Sequence, residues 1–152
     1  MELYEMEAVS SPWNIFSLKE ALERSEDLLD GEFELTINEG AEAVLEVIVE
    51  AAGGTRLFVA INGEQVITST VLWPRDAIDD PAAFEAMMLR SHKNLLPLCA
   101  LSIDRVGDRE YYELFGSMSA RSSLHSVITE MRTLANNAIE LANEVGPKAT
   151  VA

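Results

Sequence analysis

The sequence predicts an α+β fold, with three helices and a mainly antiparallel sheet of five to six strands in the order α-ββββ-α-ββ-α. Several segments alternate apolar and polar residues, which is the period of a strand, and turn residues separate them. Three other segments carry apolar residues at the three- and four-residue spacing of a helix. Hairpin-linked strands grouped between helices are typical of α+β domains, in which helices cover one face of the sheet.

The first helix is predicted to begin near Ser17. Ser17 and Glu20 have the spacing of a capping box, in which each side chain satisfies a free backbone N–H. Apolar residues then recur at helical spacing over residues 18–29. Gly31 predicts a left-handed end to this segment, because glycine adopts positive φ without steric strain.

Four strands are predicted next, over residues 33–37, 43–50, 56–61 and 65–73. The first has one polar face, and the second is rich in β-branched residues, as in a well-buried strand. Asn62 and Gly63 predict a tight two-residue turn with positive φ at both positions. Pro74 ends this four-stranded meander.

A second helix, a strand pair and a long final helix complete the order. Asp80 can cap the second helix and Pro81 fits its first position, where the missing N–H is not needed. Two strands follow over residues 99–103 and 110–115. The final helix has two adjacent apolar stripes, which make its buried face wider than a coiled-coil seam. Its stripes are Leu124, Ile128, Met131, Ala135, Ala138, Ala142 and Val145, and Val127, Leu134 and Leu141.

The chain is predicted to hold one domain. Residues 1–11 are an acidic tail or a short edge element, residues 12–147 form the single α+β domain, and residues 148–152 form a C-terminal tail. No linker composition or internal repeat divides the middle range.

The charge argues for a protein partner. The chain has 26 acidic and 11 basic residues, a formal net charge of −15. Such a surface repels nucleic acid and anionic lipid, so neither nucleic acid nor direct membrane binding is expected. It attracts basic protein segments, although an acidic surface also serves solubility alone. A lone cysteine and an acidic N-terminus predict a cytoplasmic location.

The sequence contains no recognisable catalytic, metal or cofactor motif, so we expect a protein that is not an enzyme and binds no cofactor. His92 and His125 are interpreted as packed or solvated side chains, and Cys99 as a buried, inert thiol. Asp76, Asp79 and Asp80 could hold a hard cation, but helix capping explains them more simply.

Three aromatic residues of the sixth strand are the predicted partner-binding residues: Tyr111, Tyr112 and Phe115. Alternation puts Tyr111 and Phe115 on one face of the strand and Tyr112 on the other, so one set must point away from the core. An exposed aromatic set can anchor a partner. A dimer interface or the N-terminal segment could equally cover it.

The element order resembles the type III secretion chaperone fold. More narrowly, residues 96–102 (LPLCALS) and 111–120 (YYELFGSMSA) resemble the YjfI-like family of bacterial proteins. The chaperone resemblance implies a homodimer without enzymatic activity that wraps segments of a client protein. The family resemblance implies a link to bacterial envelope stress, with a phage-shock-type coiled-coil protein as client.

These observations predict a non-enzymatic chaperone or adaptor that binds a segment of a partner protein, by strand addition or helix docking. The alternative is a small-ligand binder or an enzyme with a cleft that the sequence does not show. The alternative requires a pocket that contains His92, His125, Cys99 or the aspartates of residues 76–80, with other polar groups converging on it.

Overall fold

A computed structural model of the chain describes residues 3–147. It confirms the predicted fold class and the order α-ββββ-α-ββ-α. The helices are α1 (Ile15–Arg24), α2 (Glu26–Leu29), α3 (Pro81–Leu95) and α4 (Leu124–Val145). The strands are β1 (Phe33–Asn38), β2 (Val44–Val49), β3 (Thr55–Asn62), β4 (Gln65–Pro74), β5 (Ala100–Val106) and β6 (Arg109–Ser119). Helix α2 is a single turn directly after α1, and the two together form the first predicted helix.

The six strands form one antiparallel sheet in the order β1-β2-β3-β4-β6-β5. Strands β1 to β4 follow one another as a meander. The chain then passes through α3 to the outer edge, where β5 forms, and β6 returns between β5 and β4. Strands β1 and β5 are therefore the two edges of the sheet.

Two local signals lie at other residues than predicted. The capping box of α1 consists of Asn14 and Ser17: the Ser17 N–H donates to Asn14 Oδ1 at 2.9 Å, and the Asn14 N–H donates to Ser17 Oγ at 3.0 Å. Helix α1 therefore begins at Ile15. The β3–β4 turn consists of Gly63 and Glu64, because Asn62 already pairs with Gln65. Gly63 has the positive φ, 61°, that the turn requires.

The core lies between one face of the sheet and the helices. Helix α4 crosses β2, β3, β4 and β6, and α1 packs against α4, β2 and β3. Strands β2, β3, β4 and β6 contribute alternate buried residues to this face, and β1 contributes the buried Phe33. The largest fully buried side chains are Leu18, Leu22, Leu45, Leu57, Met88, Tyr112, Leu114, Ile128, Met131 and Leu134.

An aromatic cluster attaches α3 to the same face of the sheet. The rings of Phe84 and Tyr112 are 4.9 Å apart, and Trp73 lies 6.2 Å from Phe84 and 6.4 Å from Tyr112 in tilted or edge arrangements. Such geometries stabilise aromatic pairs beyond their buried area. Asp80 caps α3 as predicted, with the Ala83 N–H donating to its Oδ1 at 3.1 Å.

The predicted division at residue 11 remains a prediction, and the tail of residues 148–152 lies outside the described residues. Near the N-terminus, residues Leu3–Met6 form a 3-10 turn, and the Val9 N–H donates to the Arg121 carbonyl at 3.0 Å. Within residues 3–147, no helix is long and apolar enough to cross a membrane.

Candidate partner-binding surface and pockets

The sheet face opposite the helices, here called the open face, is formed by the alternate residues of the strands. Its side chains are half-buried or exposed, whereas their neighbours along each strand pack into the core. The open face includes Glu34, Thr36, Glu46, Ile48, Arg56, Phe58, Ala60, Ile67, Ser69, Val71, Ala100, Ser102, Asp104, Tyr111, Glu113, Phe115 and Ser117.

The middle of the open face is apolar. Ser69 of β4 pairs with Phe58 of β3 on one side and with Phe115 of β6 on the other. Ile67 and Val71 lie two residues before and after Ser69 on β4, so they point the same way. Directly opposed side chains in antiparallel strands have Cβ atoms about 5 Å apart. Phe58, Ile67, Val71 and Phe115 therefore form one continuous surface around Ser69, here called the central patch.

Acidic groups lie beside the central patch. Glu113 lies two residues before Phe115 on the same face of β6. Burial raises its pKa, with smaller contributions from repulsion by Asp104 and from a hydrogen bond between the two side chains. The arginines at this face are already paired: Arg56 contacts Glu46 at 3.0 Å, and Arg109 contacts Asp76 at 2.8 Å. A cation that approached Glu113 and Asp104 would relieve the repulsion between them.

The structure separates the three predicted partner-binding residues. Tyr111 and Phe115 lie half-buried on the open face, and the Arg109 guanidinium lies 5.8 Å from the Tyr111 ring centre. Tyr112 faces the core and is 0% exposed, so it presents no surface to a partner. Its hydroxyl donates to Glu85 Oε2 at 3.0 Å, and burial is the main cause that raises its pKa to about 12. Tyr111 and Phe115 stay predictions.

His92 and Leu89 line an apolar pocket of about 260 Å³ between α3 and β5. The imidazole has a structural partner, because its Nε2 accepts a hydrogen bond from the Leu101 N–H at 3.0 Å. This bond ties α3 to the edge strand. Leu89 is 78% exposed and Ile103 is 44% exposed at the mouth of the pocket.

His125 lines a second pocket, of about 410 Å³, between β6 and α4; it is here called the β6–α4 pocket. Its other lining residues are Leu98, Ser117, Met118, Ser126, Thr129 and Glu130. Glu130 is 5% exposed, and burial raises its pKa to about 7. The buried Nδ1 of His125 has no hydrogen-bond partner among the described residues. Polar groups thus converge in this pocket.

Cys99 lies beside this region, half-buried rather than fully buried. Its sulfur accepts a hydrogen bond from Asn137 Nδ2 at 3.1 Å, and the same amide donates to the Pro97 carbonyl at 2.9 Å. Burial raises the pKa of the Cys99 thiol. A thiol whose pKa is raised is a weak nucleophile at neutral pH.

The aspartates before α3 take part in local structure. A hydrogen bond from Arg109 lowers the pKa of the Asp76 carboxyl, and Asp80 caps α3. Within residues 3–147, no three metal-ligating side chains converge on one point.

Two buried polar residues of α4, Glu130 and Asn137, were missed by the sequence reasoning. Their signal is present in the spacing of the second stripe: Val127, Glu130, Leu134, Asn137 and Leu141 are three, four, three and four residues apart. A polar residue at an apolar position of a wide helix stripe is buried with the stripe.

Comparison with known proteins places this fold in a bacterial group. The family model described as "Uncharacterized protein conserved in bacteria (DUF2170)" matches residues 12–147. The "Uncharacterized protein YjfI" of Escherichia coli K12 is 30% identical over 130 residues, which cover 86% of this chain and 92% of that protein. The YjfI sequence of E. coli O157:H7 matches equally well.

Among solved structures, YbjN from E. coli, a protein proposed to regulate transcription, has a similar fold. The TM-score is 0.58 at 12% identity, and the match covers 88% of this chain and 96% of YbjN. At this identity the likeness concerns the fold alone.

Proposed function

The chain belongs to the DUF2170 family and is similar to YjfI, and on that premise we propose that it is a non-enzymatic adaptor or chaperone that binds a basic segment of another protein on its open face. The observation that carries the proposal is the central patch. Val71 is 43% exposed, and Phe58, Ile67 and Phe115 are half-buried beside it. Aromatic and branched side chains grouped on a surface are typical anchors of protein interfaces.

The charge of the face supports a basic occupant. The carboxyl groups of Glu113 and Asp104 lie together beside the patch, where Asp104 contributes to the raised pKa of Glu113, and the whole chain carries a net charge of −15. A lysine- or arginine-containing segment would contact the apolar patch and offset these carboxylates. The same charge disfavours nucleic acid as the occupant.

The finer form of the proposal rests on the family resemblance. It names a phage-shock-type coiled-coil protein as the client, a role in envelope stress, a homodimer and a cytoplasmic location. A coiled-coil client fits the open face, because a helix that carries apolar anchors and basic flanks can lie across a sheet.

The test uses the Phe115→Ala variant and the matched control Leu89→Ala, which removes an exposed apolar side chain far from the open face. Urea unfolding first establishes that both variants are folded. Binding to a purified phage-shock-type coiled-coil protein from the same bacterium is then measured by calorimetry at low and high salt. We expect Phe115→Ala to weaken binding at least about tenfold, as for a buried aromatic anchor. Leu89→Ala should leave binding unchanged, and salt should weaken it in every variant.

If Phe115→Ala and the wild type bind the partner with equal affinity, the proposal that the central patch contacts the partner is overturned. Light scattering then measures the oligomeric state of the wild type and of Phe115→Ala. If Phe115→Ala converts a dimer into a monomer, the occupant of the open face is a second copy of this chain, and the partner proposal fails.

A small-ligand role has one specific observation in its favour. The β6–α4 pocket contains His125 and brings Glu130 and hydroxyl groups to the same space, as the alternative reading of the sequence requires.

A further inference from the structure

The β6–α4 pocket exists because β5 is shorter than β6. Strand β5 begins at Ala100, which pairs with Phe115, whereas β6 continues to Ser119. Ser117 and Met118 therefore extend past the start of β5, and they form one wall of the pocket. The first two turns of α4 form the other wall. Leu98, in the connection that leads to β5, is 64% exposed beside the opening.

The Glu130 carboxyl lies against the β6 backbone at Gly116. A Cβ atom at Gly116 would be 1.8 Å from Glu130 Oε1, so only glycine leaves room for this carboxyl. Glu130 forms no hydrogen bond or ion pair with any described residue, although it is 95% buried and lines the pocket. An ionised carboxylate that is buried without a partner is unfavourable, so Glu130 either holds a proton or pairs with a cation.

The other polar groups of the pocket suit a hydrogen-bond donor. His125 lines the pocket, but its Nδ1 is buried without a hydrogen-bond partner within residues 3–147, so a ligand in this space does not reach it. Ser126 and Thr129 of α4, which carry hydroxyl groups, also line the space. None of the residues that line the pocket is an arginine or a lysine. A ligand that pairs with the Glu130 carboxylate must therefore supply the positive charge.

We propose that the β6–α4 pocket binds a ligand that carries an ammonium or guanidinium group, with Glu130 as its counter-ion and Thr129 as a hydrogen-bond acceptor. The N–H donors of such a group match one carboxylate and one hydroxyl oxygen. The aliphatic stem of such a ligand would contact Met118 and Leu98. The pocket volume of about 410 Å³ is within the usual range for small-molecule sites. This site is independent of the central patch and of the proposed partner.

The test is an NMR titration of the full chain with Nα-acetyl-lysine methylamide, and with the uncharged norleucine analogue as the matched ligand control. We expect saturable shifts of the amide signals of His125, Thr129 and Ser117 with the lysine analogue only. Glu130→Gln should reduce the affinity at least about tenfold, since it removes the counter-charge but keeps the shape. Glu140→Gln, an exposed change on the same helix, is the matched protein control and should have no effect.

The proposal is overturned if the lysine analogue gives no shifts in the pocket, if norleucine binds equally well, or if Glu130→Gln leaves the affinity unchanged. Two further titrations distinguish a free amine from a protein segment as the natural ligand. Cadaverine that binds as tightly as the lysine analogue would indicate a free amine. A lysine-containing hexapeptide that binds at least about tenfold tighter would indicate a protein segment. If Phe115→Ala loses partner binding but still binds the lysine analogue in the β6–α4 pocket, the two proposals are shown to concern separate sites.

Discussion

On strand β6, the side chains that face the helices and those that face outward differ in burial, partners and chemistry. Tyr112 is fully enclosed between Phe84 and Trp73 and donates to Glu85, and Leu114 is equally buried. Tyr111 and Phe115, one residue away from them, lie half-buried on the open face. Two adjacent tyrosines thus have opposite environments. Residue type alone does not identify a binding residue on a strand, because the covered face decides which aromatic side chains remain available.

The largest expected effect comes from removing the core-facing tyrosine. Tyr112→Ala should lower the free energy of unfolding by about 3–5 kcal/mol, because it empties the contact between α3 and the sheet. Tyr111→Ala should lower it by less than about 1.5 kcal/mol. Urea denaturation of both variants measures the difference. Similar losses in the two would show that the open face is packed as tightly as the core.

The next effect concerns the close contact between β6 and α4. Gly116→Ala should lower the free energy of unfolding by about 1–3 kcal/mol, because the new Cβ displaces the buried Glu130 carboxyl. Glu130→Ala removes the obstacle, so the double variant should recover most of the loss in a double-mutant cycle. An additive double variant would mean that the loss arises elsewhere in β6.

Glu130 also makes stability depend on pH. Its pKa is about 7 in the folded chain, against an ordinary value of 4.5, so the folded state holds a proton that the unfolded state releases. The contribution of Glu130 to the free energy of unfolding is therefore fully present below about pH 4.5, and it is lost as the pH rises through 7. At pH 8, Glu130→Gln should therefore raise the free energy of unfolding by about 1–2 kcal/mol, an amount reduced by the open pocket mouth.

Paired denaturation curves at pH 4.5 and pH 8 measure this effect. The gain in Glu130→Gln should nearly vanish at pH 4.5, and Glu140→Gln should show no gain at either pH. His125 lines the same pocket, and Cys99 interacts electrostatically with Glu130. Because both residues are present in every variant, the difference between Glu130→Gln and the wild type reports the effect of the Glu130 carboxyl. If Glu130→Gln raises the free energy of unfolding equally at both pH values, the effect does not come from ionisation of the buried Glu130 carboxyl.

The smallest effect is expected for the charges of the open face. Arg56→Gln removes the pair with Glu46, in which the arginine side chain is 60% exposed, and should change the free energy of unfolding by less than about 0.5 kcal/mol. If the partner is basic, the same variant should bind it more tightly at low salt, because an opposing positive charge is gone. Weaker binding in calorimetry would indicate an acidic segment instead.

Most of the fold could be predicted because its signals are local. Asp80 and Pro81 begin α3 as predicted, Gly31 has φ 77° after the first helical segment, and residues 33–37 alternate as expected. The capping box was misplaced because Asn14-Ser17 and Ser17-Glu20 have the same spacing, and only the backbone conformation distinguishes them. The β3–β4 turn was misplaced by one residue, since strand register decides which residues are left unpaired.

The pockets and the buried polar groups could not be predicted with the same success. The β6–α4 pocket depends on where β5 begins relative to β6, and this is a register between two strands. The position of Glu130 in the second stripe of α4 indicated burial, but not that its carboxyl would meet Gly116 of another element.

The sequence by itself determined the period of each element, its caps and turns, the acidic charge, and the division of β6 into a Tyr111–Phe115 set and a Tyr112–Leu114 set. Only the tertiary structure decided which set faces the core, and that Glu130 is buried without a partner. The physical reason is that alternation and helical spacing arise within one segment. Burial and pairing depend on the elements that fold against it, and these come from distant parts of the chain.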